Sequence, residues 1–132
     1  MNDRTAGQRG QATVELVLVL PVIVFALLLV VQIGLVARAQ VVVVDAAREG
    51  ARAAAIEGTE TAARAAARAA VGPVAAPRLD VDVELEPTPG GYATVRVRYR
   101  VPTDVALVGP LLRDPIISAS VAMRREDPEV PP

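Results

Sequence analysis

The stretch Gly10-Gln11-Ala12-Thr13-Val14-Glu15 runs directly into Leu16-Val17-Leu18-Val19-Leu20-Pro21-Val22-Ile23-Val24-Phe25-Ala26-Leu27-Leu28-Leu29-Val30-Val31. One acid stands at the start of a long apolar run, five residues after a glycine. No charged or polar side chain occurs again until Gln32. Extended through Gln32-Ile33-Gly34-Leu35-Val36-Ala37, the run reaches about 22 residues, or roughly 33 Å of helix, against a bilayer core of about 30 Å. The run therefore reads as a transmembrane helix over 11–37, in contact with membrane lipid. The chain beyond Arg38 reads as material held at a membrane surface.

The totals narrow the rest. A chain of 132 residues leaves room for one small domain beside such an anchor. Only Phe25, Tyr92 and Tyr99 are aromatic, so that domain must pack on Val, Leu, Ile and Ala. A formal net charge of −1 argues against a nucleic-acid partner. The absence of Cys rules out a disulfide framework, and the absence of His removes the commonest metal ligand and general base.

Residues 1–10 are short and polar, with Arg4 and Arg9 against Asp3, and read as a cytoplasmic leader. Arginines flank both ends of the apolar run, so their count sets no orientation. Ala37-Arg38-Ala39 has the small-x-small form of a signal cleavage site, but the apolar run exceeds the usual 7–15 residues of a secretory signal. Pro21 inside the run removes one backbone hydrogen bond, which membrane helices tolerate.

Residues 38–72 read as an amphipathic helical stem. Val41 to Val44 weaken helix propensity, and the alanines between Ala46 and Ala55 restore it. Asp45 and Glu49 can meet Arg48 and Arg52 at helical spacing. Gly58 interrupts the pattern; Thr59 or Thr61 can cap a second helix over Glu60–Val71, which Gly72-Pro73 ends. A bent rod and a hairpin at Gly58 are both open. Residues 73–78 read as a linker.

The period then changes to two. Leu79, Val81, Val83 and Leu85 alternate with Asp80, Asp82, Glu84 and Glu86. After Pro87 to Gly91, Ala93, Val95, Val97, Tyr99 and Val101 alternate with Thr94, Arg96, Arg98 and Arg100. This predicts an antiparallel hairpin with the acid row facing the arginine row. Charge and hydrophobicity then demand the same register. Val105 to Leu112 is an apolar connector expected to cover the sheet. Ile117, Ala119, Val121 and Met123 alternate with Ser118 and Ser120 as a third strand. The expected fold is α+β: a transmembrane helix, a helical stem, and a small antiparallel domain over 79–125. Arg124 to Asp127 and the proline-rich end, 126–132, read as a solvated, disordered tail.

No constellation of enzyme chemistry emerges. Ser118 and Ser120 sit on a strand with no His partner. Asp80, Asp82 and Glu84 have strand spacing without the turn glycine and bidentate acid of a calcium loop. No glycine-rich loop precedes a helix. The arginine row at 96, 98 and 100 invites an anion site, but the neighbouring acids neutralise it. The expectation is no enzyme, metal, cofactor or small-molecule substrate.

Gly10, Gln11 and Glu15 resemble the N-terminus of type IV prepilins, which have a short basic leader, a glycine before the scissile bond and a glutamate at the fifth mature position. The wider stretch, Gly10 to Pro21 with Gln40 and the Ala46 to Ala55 run, is similar to the TadE-like family of tight-adherence pseudopilins and minor pilins. Leu16 departs from the tyrosine often found after the glutamate in the major pilin of those systems. The resemblance implies cleavage between Gly10 and Gln11 by a prepilin peptidase. It also implies pairing of Glu15 with the new ammonium at Gln11, and helix packing through Leu16, Pro21, Phe25 and Gly34. The implied location is the bacterial cytoplasmic membrane, single-pass, with the N-terminus inside and the C-terminal domain outside. The implied partners are other Tad pilins and assembly-platform proteins. Two alternatives stay open: an unprocessed anchored accessory or scaffold domain, and a secreted domain released after Ala39.

Overall fold

A computed structural model describes residues 4–102 and 114–126. Its elements are α1 (Arg4–Glu57), α2 (Glu60–Ala75), a 3-10 turn (Ala76–Arg78), β1 (Leu79–Leu85), β2 (Tyr92–Arg100) and β3 (Ile116–Arg124). The fold is α+β: a long apolar N-terminal helix, a second helix and a three-stranded antiparallel sheet in the order β1-β2-β3. The connector from Val105 to Leu112 and the tail beyond Glu126 lie outside the described residues. The chain divides into two units, one ending in α1 at Leu35 and the other beginning at Val36.

The second unit is built on alanine. From α1 it buries Val43, Ala46, Ala47, Ala51 and Ala54, and from α2 Ala63 and Ala67. These positions recur every three or four residues, so each helix offers one narrow stripe of small side chains. Against the stripes stand Leu79 and Val81 of β1, Ala93, Val95 and Val97 of β2, and Ile117 of β3. Alanine burial removes little apolar area per residue, so close backbone approach must supply the contact.

Gly50 shows how close that approach is. A Cβ placed there would stand 3.0 Å from Val95 Cγ1, 3.1 Å from the Ala63 carbonyl oxygen and 3.2 Å from Ala67 Cβ. One glycine thus lets α1 touch β2 and α2 together. Because α2 returns to Gly50, the joint at Gly58 is a helical hairpin rather than one bent rod. Gly58 takes a φ of 67°, the left-handed value glycine holds without strain. Its N–H donates to the Ala54 carbonyl at 3.0 Å, closing α1. Thr59 then caps α2 by accepting from the Ala62 N–H at 3.3 Å.

Helix α2 breaks at Gly72, where φ is 77°, and continues as a turn through Pro73 to Ala75. The linker expected over 73–78 is therefore mostly helical, since Pro73 suits the first turn of a new helix. In the sheet, Asp80 faces Arg98 and Asp82 faces Arg96, as the opposed charges demand. Glu84 differs: it faces Thr94. Arg98 donates to Asp82 and lies 3.4 Å from Asp80, bridging two acids of one row.

The first residues assigned to a solvated tail are structural. Arg125 donates from its guanidinium to the Glu86 carbonyl at 2.9 Å, and its backbone N–H donates to the Gly91 carbonyl at 2.9 Å. Arg124 Nε donates to the Gly90 carbonyl at 3.1 Å. The Glu126 N–H donates to the Ala55 carbonyl at 3.1 Å. The end of the sheet is thus tied to the β1–β2 turn and to the last turn of α1, and free C=O groups are what that charged segment satisfies.

Two opposed terms act at Gly50. Replacing an interior helical glycine by alanine gains about 0.5–1 kcal/mol of propensity. The three contacts near 3 Å oppose it, so Gly50→Ala is expected to be close to neutral. Gly50→Val adds two methyl groups with no space to enter and is expected to destabilise by about 1–3 kcal/mol. Chemical denaturation in detergent, followed by circular dichroism, reads the difference.

Candidate functional site

The first unit supplies the candidate site: the stretch of α1 that begins at Gln11. No helix partner among the described residues covers its apolar side chains. Leu16, Leu18, Val22 and Ile33 are 62, 69, 66 and 68 % exposed, and Phe25 is 45 % exposed. In water such a surface would be far larger than a soluble monomer carries. Helix α1 is long and apolar enough to cross a membrane, which fits a single-pass membrane anchor near the N-terminus. Pro21 lies within α1 without ending it. Gly34 has open space where a Cβ would stand, so that side of the helix presents bare backbone.

Glu15 lies at the N-terminal edge of this surface. Gln11 precedes it by four residues, so the two share a helix face. Glu15 is exposed, and among the described residues it forms no ion pair. The Gly10–Gln11 bond lies inside α1, which starts at Arg4. Helix α1 has no acid in its first turn as it stands. A helix starting at Gln11 would have Glu15 close to its positive end, where a carboxylate is favoured by about 0.3–1 kcal/mol.

Sequence reasoning misses one residue here. Gln32 reads in the sequence as a polar interruption of the apolar run. In the structure its side chain is 5 % exposed, and neither its amide oxygen nor its nitrogen has a hydrogen-bond partner. An orphaned buried amide is costly, which is the reason such groups are rare. A lone Gln between Val31 and Ile33 is the only signal the sequence offers.

Outside α1 the chemistry is that of a solvated surface. Among the described residues no group of three or more Asp, Glu, Cys or His converges to hold a metal. An open depression of about 260 Å³ on the outer sheet face is lined by Asp82, Val83, Glu84, Thr94 and Arg96. It has both charge signs and no apolar enclosure, unlike a typical small-molecule site. On α1, Asp45 and Arg48 lie 3.9 Å apart at mostly exposed positions, a pair worth little to stability.

Residues 10–52 match the sequence model of the family described as TadE-like protein. The matched segment starts at Gly10, takes in Gln11, Glu15, Pro21, Phe25, Gln32 and Gly34, and ends within the part of α1 that packs on the sheet. The match coincides with the long apolar part of α1 and runs on into its packed portion. No curated protein and no solved structure matches the chain.

Removing an unsatisfied buried amide while keeping its volume relieves desolvation. Gln32→Leu is therefore expected to raise the unfolding midpoint in detergent, by the equivalent of about 1–2 kcal/mol. A fall in the midpoint would mean that Gln32 has a partner in the assembled protein.

Proposed function

We propose that the chain is a pseudopilin or minor pilin of a tight-adherence pilus system, a structural component rather than an enzyme. One coincidence carries this reading: the TadE-like match, the lipid-length exposed helix face and the acid at its edge all fall on one segment. The chain inserts with its N-terminus inside, and the small α+β domain faces outward. A prepilin peptidase cuts after Gly10. The anchored helix then packs among other Tad pilins and assembly-platform proteins, and the exposed face from Leu16 to Ile33 becomes helix–helix interface or remains in lipid. Where helices meet, Gly34 allows close backbone approach, the usual means of association where lipid removes the hydrophobic drive.

Glu15 has a defined task in this scheme. A carboxylate at a membrane helix is expensive unless it is neutralised or paired. Cleavage would create an ammonium at Gln11, one helical turn away, and would end α1 there. The ammonium, of the same chain or a neighbour, and the helix dipole then both act on the acid. Pairing across chains would make the charge a register mark between helices that otherwise slide on apolar surface.

A second reading is favoured by one observation. The Gly10–Gln11 bond lies inside α1, and a peptidase must open that turn to reach it. An uncut chain would be a single-pass anchored scaffold at the cell envelope, with Glu15 facing the headgroup region.

The cysteine-free sequence makes the assembly role measurable. With a single cysteine introduced by Leu18→Cys, oxidative crosslinking in membranes containing the other pilus proteins reports helix proximity. The added change Glu15→Ala is expected to reduce the crosslinked fraction at least several-fold while the chain stays in the membrane. Undiminished crosslinking would remove Glu15 from assembly and favour the scaffold.

A further inference from the structure

The sheet has two edges, and among the described residues only one is guarded. Helix α2 packs against β1. From α2, the Arg64 guanidinium donates to the Val81 carbonyl of β1, with Glu60 holding Arg64 at 3.1 Å. The outer face of β1 also carries Asp80, Asp82 and Glu84, a charge row of the kind that keeps strands apart. Strand β3 has none of these devices along its length. Among the described residues no strand pairs with its outer side. It runs for nine residues without proline, and its one charged side chain is Arg124 at its end. Outward it shows the exposed Ile116, then Ser118, Ser120 and Ala122, all small and exposed. Inward, Ala119, Val121 and Met123 are only partly buried, a fringe that the core leaves open.

Charge on the neighbouring strand says what fits there. Strand β2 carries Arg96, Arg98 and Arg100 on the outer face. Arg98 is taken by Asp80 and Asp82. Arg96 and Arg100 form no ion pair among the described residues, although Arg96 lines the open depression beside Asp82 and Glu84. On the β3 side, Arg96 stands opposite Ser120 and Arg100 opposite Ile116. A strand added beyond β3 would run about 9–10 Å from β2. An arginine and a carboxylate span that distance between them; the short Ser120 leaves the way to Arg96 open, and the way to Arg100 passes over Ile116.

We propose that the free edge of β3 takes up an extended segment of a partner chain with acidic side chains at alternate positions and apolar ones between. The backbone of β3 supplies the ladder, as in recognition by strand addition. The partner's acids lie over Ile116 and Ser120 and reach Arg100 and Arg96. Its apolar residues close the fringe at Ala119, Val121 and Met123. The surface is independent of the pilus reading and of Gly10 cleavage.

The test uses the full chain in detergent and reads binding by the fluorescence anisotropy of a labelled peptide. The probe is an end-blocked peptide of about seven alternating Val and Glu residues, the length of a short strand. The control has Gln in place of Glu. The expected result is saturable binding of the Glu peptide, with slowed hydrogen exchange in β3 and unchanged exchange in β1. Two exposed ion pairs make the Gln peptide weaker by about fivefold, a gap that narrows with added salt. Joint Arg96→Ala and Arg100→Ala substitution should erase the gap, and so should Ser120→Glu, an exposed change that leaves the core alone. Equal affinity for the two peptides would overturn the proposal. So would protection appearing on β1, a gap that survives both variants, or β3 protected without peptide because two copies pair there.

Discussion

An apolar helix face with a single acid at its edge is the constraint on which the rest depends. From Leu16 to Ile33 the large side chains of α1 lie mostly open, and nothing in the rest of the described chain covers them. Such a surface has to be met by lipid or by other helices. In a bilayer Glu15 would sit where charge is expensive, which makes its partner the central question of the N-terminal half.

The small domain solves a different problem with few resources. With only two tyrosines and no other aromatic outside α1, it cannot fill a core with large rings. It uses alanine stripes on both helices and a glycine at their meeting point, so backbones approach where side chains cannot reach. Gly50 is the clearest instance: one hydrogen in place of a methyl group lets α1 contact Val95, Ala63 and Ala67 at once. The segment Arg124–Glu126 then ties the sheet's end to the hairpin turn and to α1 through backbone carbonyls. Each tie is modest, about 0.5–1.5 kcal/mol for an ordinary hydrogen bond, but together they join three elements distant in sequence.

Much of this is legible in the sequence because local pattern and tertiary demand agree. The period of two in residues 79–85 and 92–100, with acids against arginines, specifies the strands and their register together. The apolar run specifies by its length a helix able to cross a membrane. The features that escape a sequence reading are long-range. A hairpin at Gly58 depends on Gly50 meeting Ala63 and Ala67, a contact across the joint that no local window contains. Arg125 and Glu126 look solvated because their partners are backbone carbonyls, which have no sequence signature. Gln32 looks like a tolerated interruption until its burial shows both amide atoms orphaned. Glu84 facing Thr94 is hidden by the assumption that the two charge rows have equal length.

The site is legible as a resemblance before it is a geometry: Gly10, Gln11 and Glu15 are ordinary residues whose spacing carries the meaning. Their shared helix face is compatible with a cut chain and with an intact one, so the chemistry of the N-terminus decides. The most direct measurement is the intact mass and N-terminal sequence of the chain recovered from its native membrane, beside a Gly10→Ala variant. The expected result is a mature chain starting at Gln11, and an uncut chain for the variant. An intact N-terminus in the native protein, a start at Gln40, or a Gln11 start that persists in the variant would contradict the assignment.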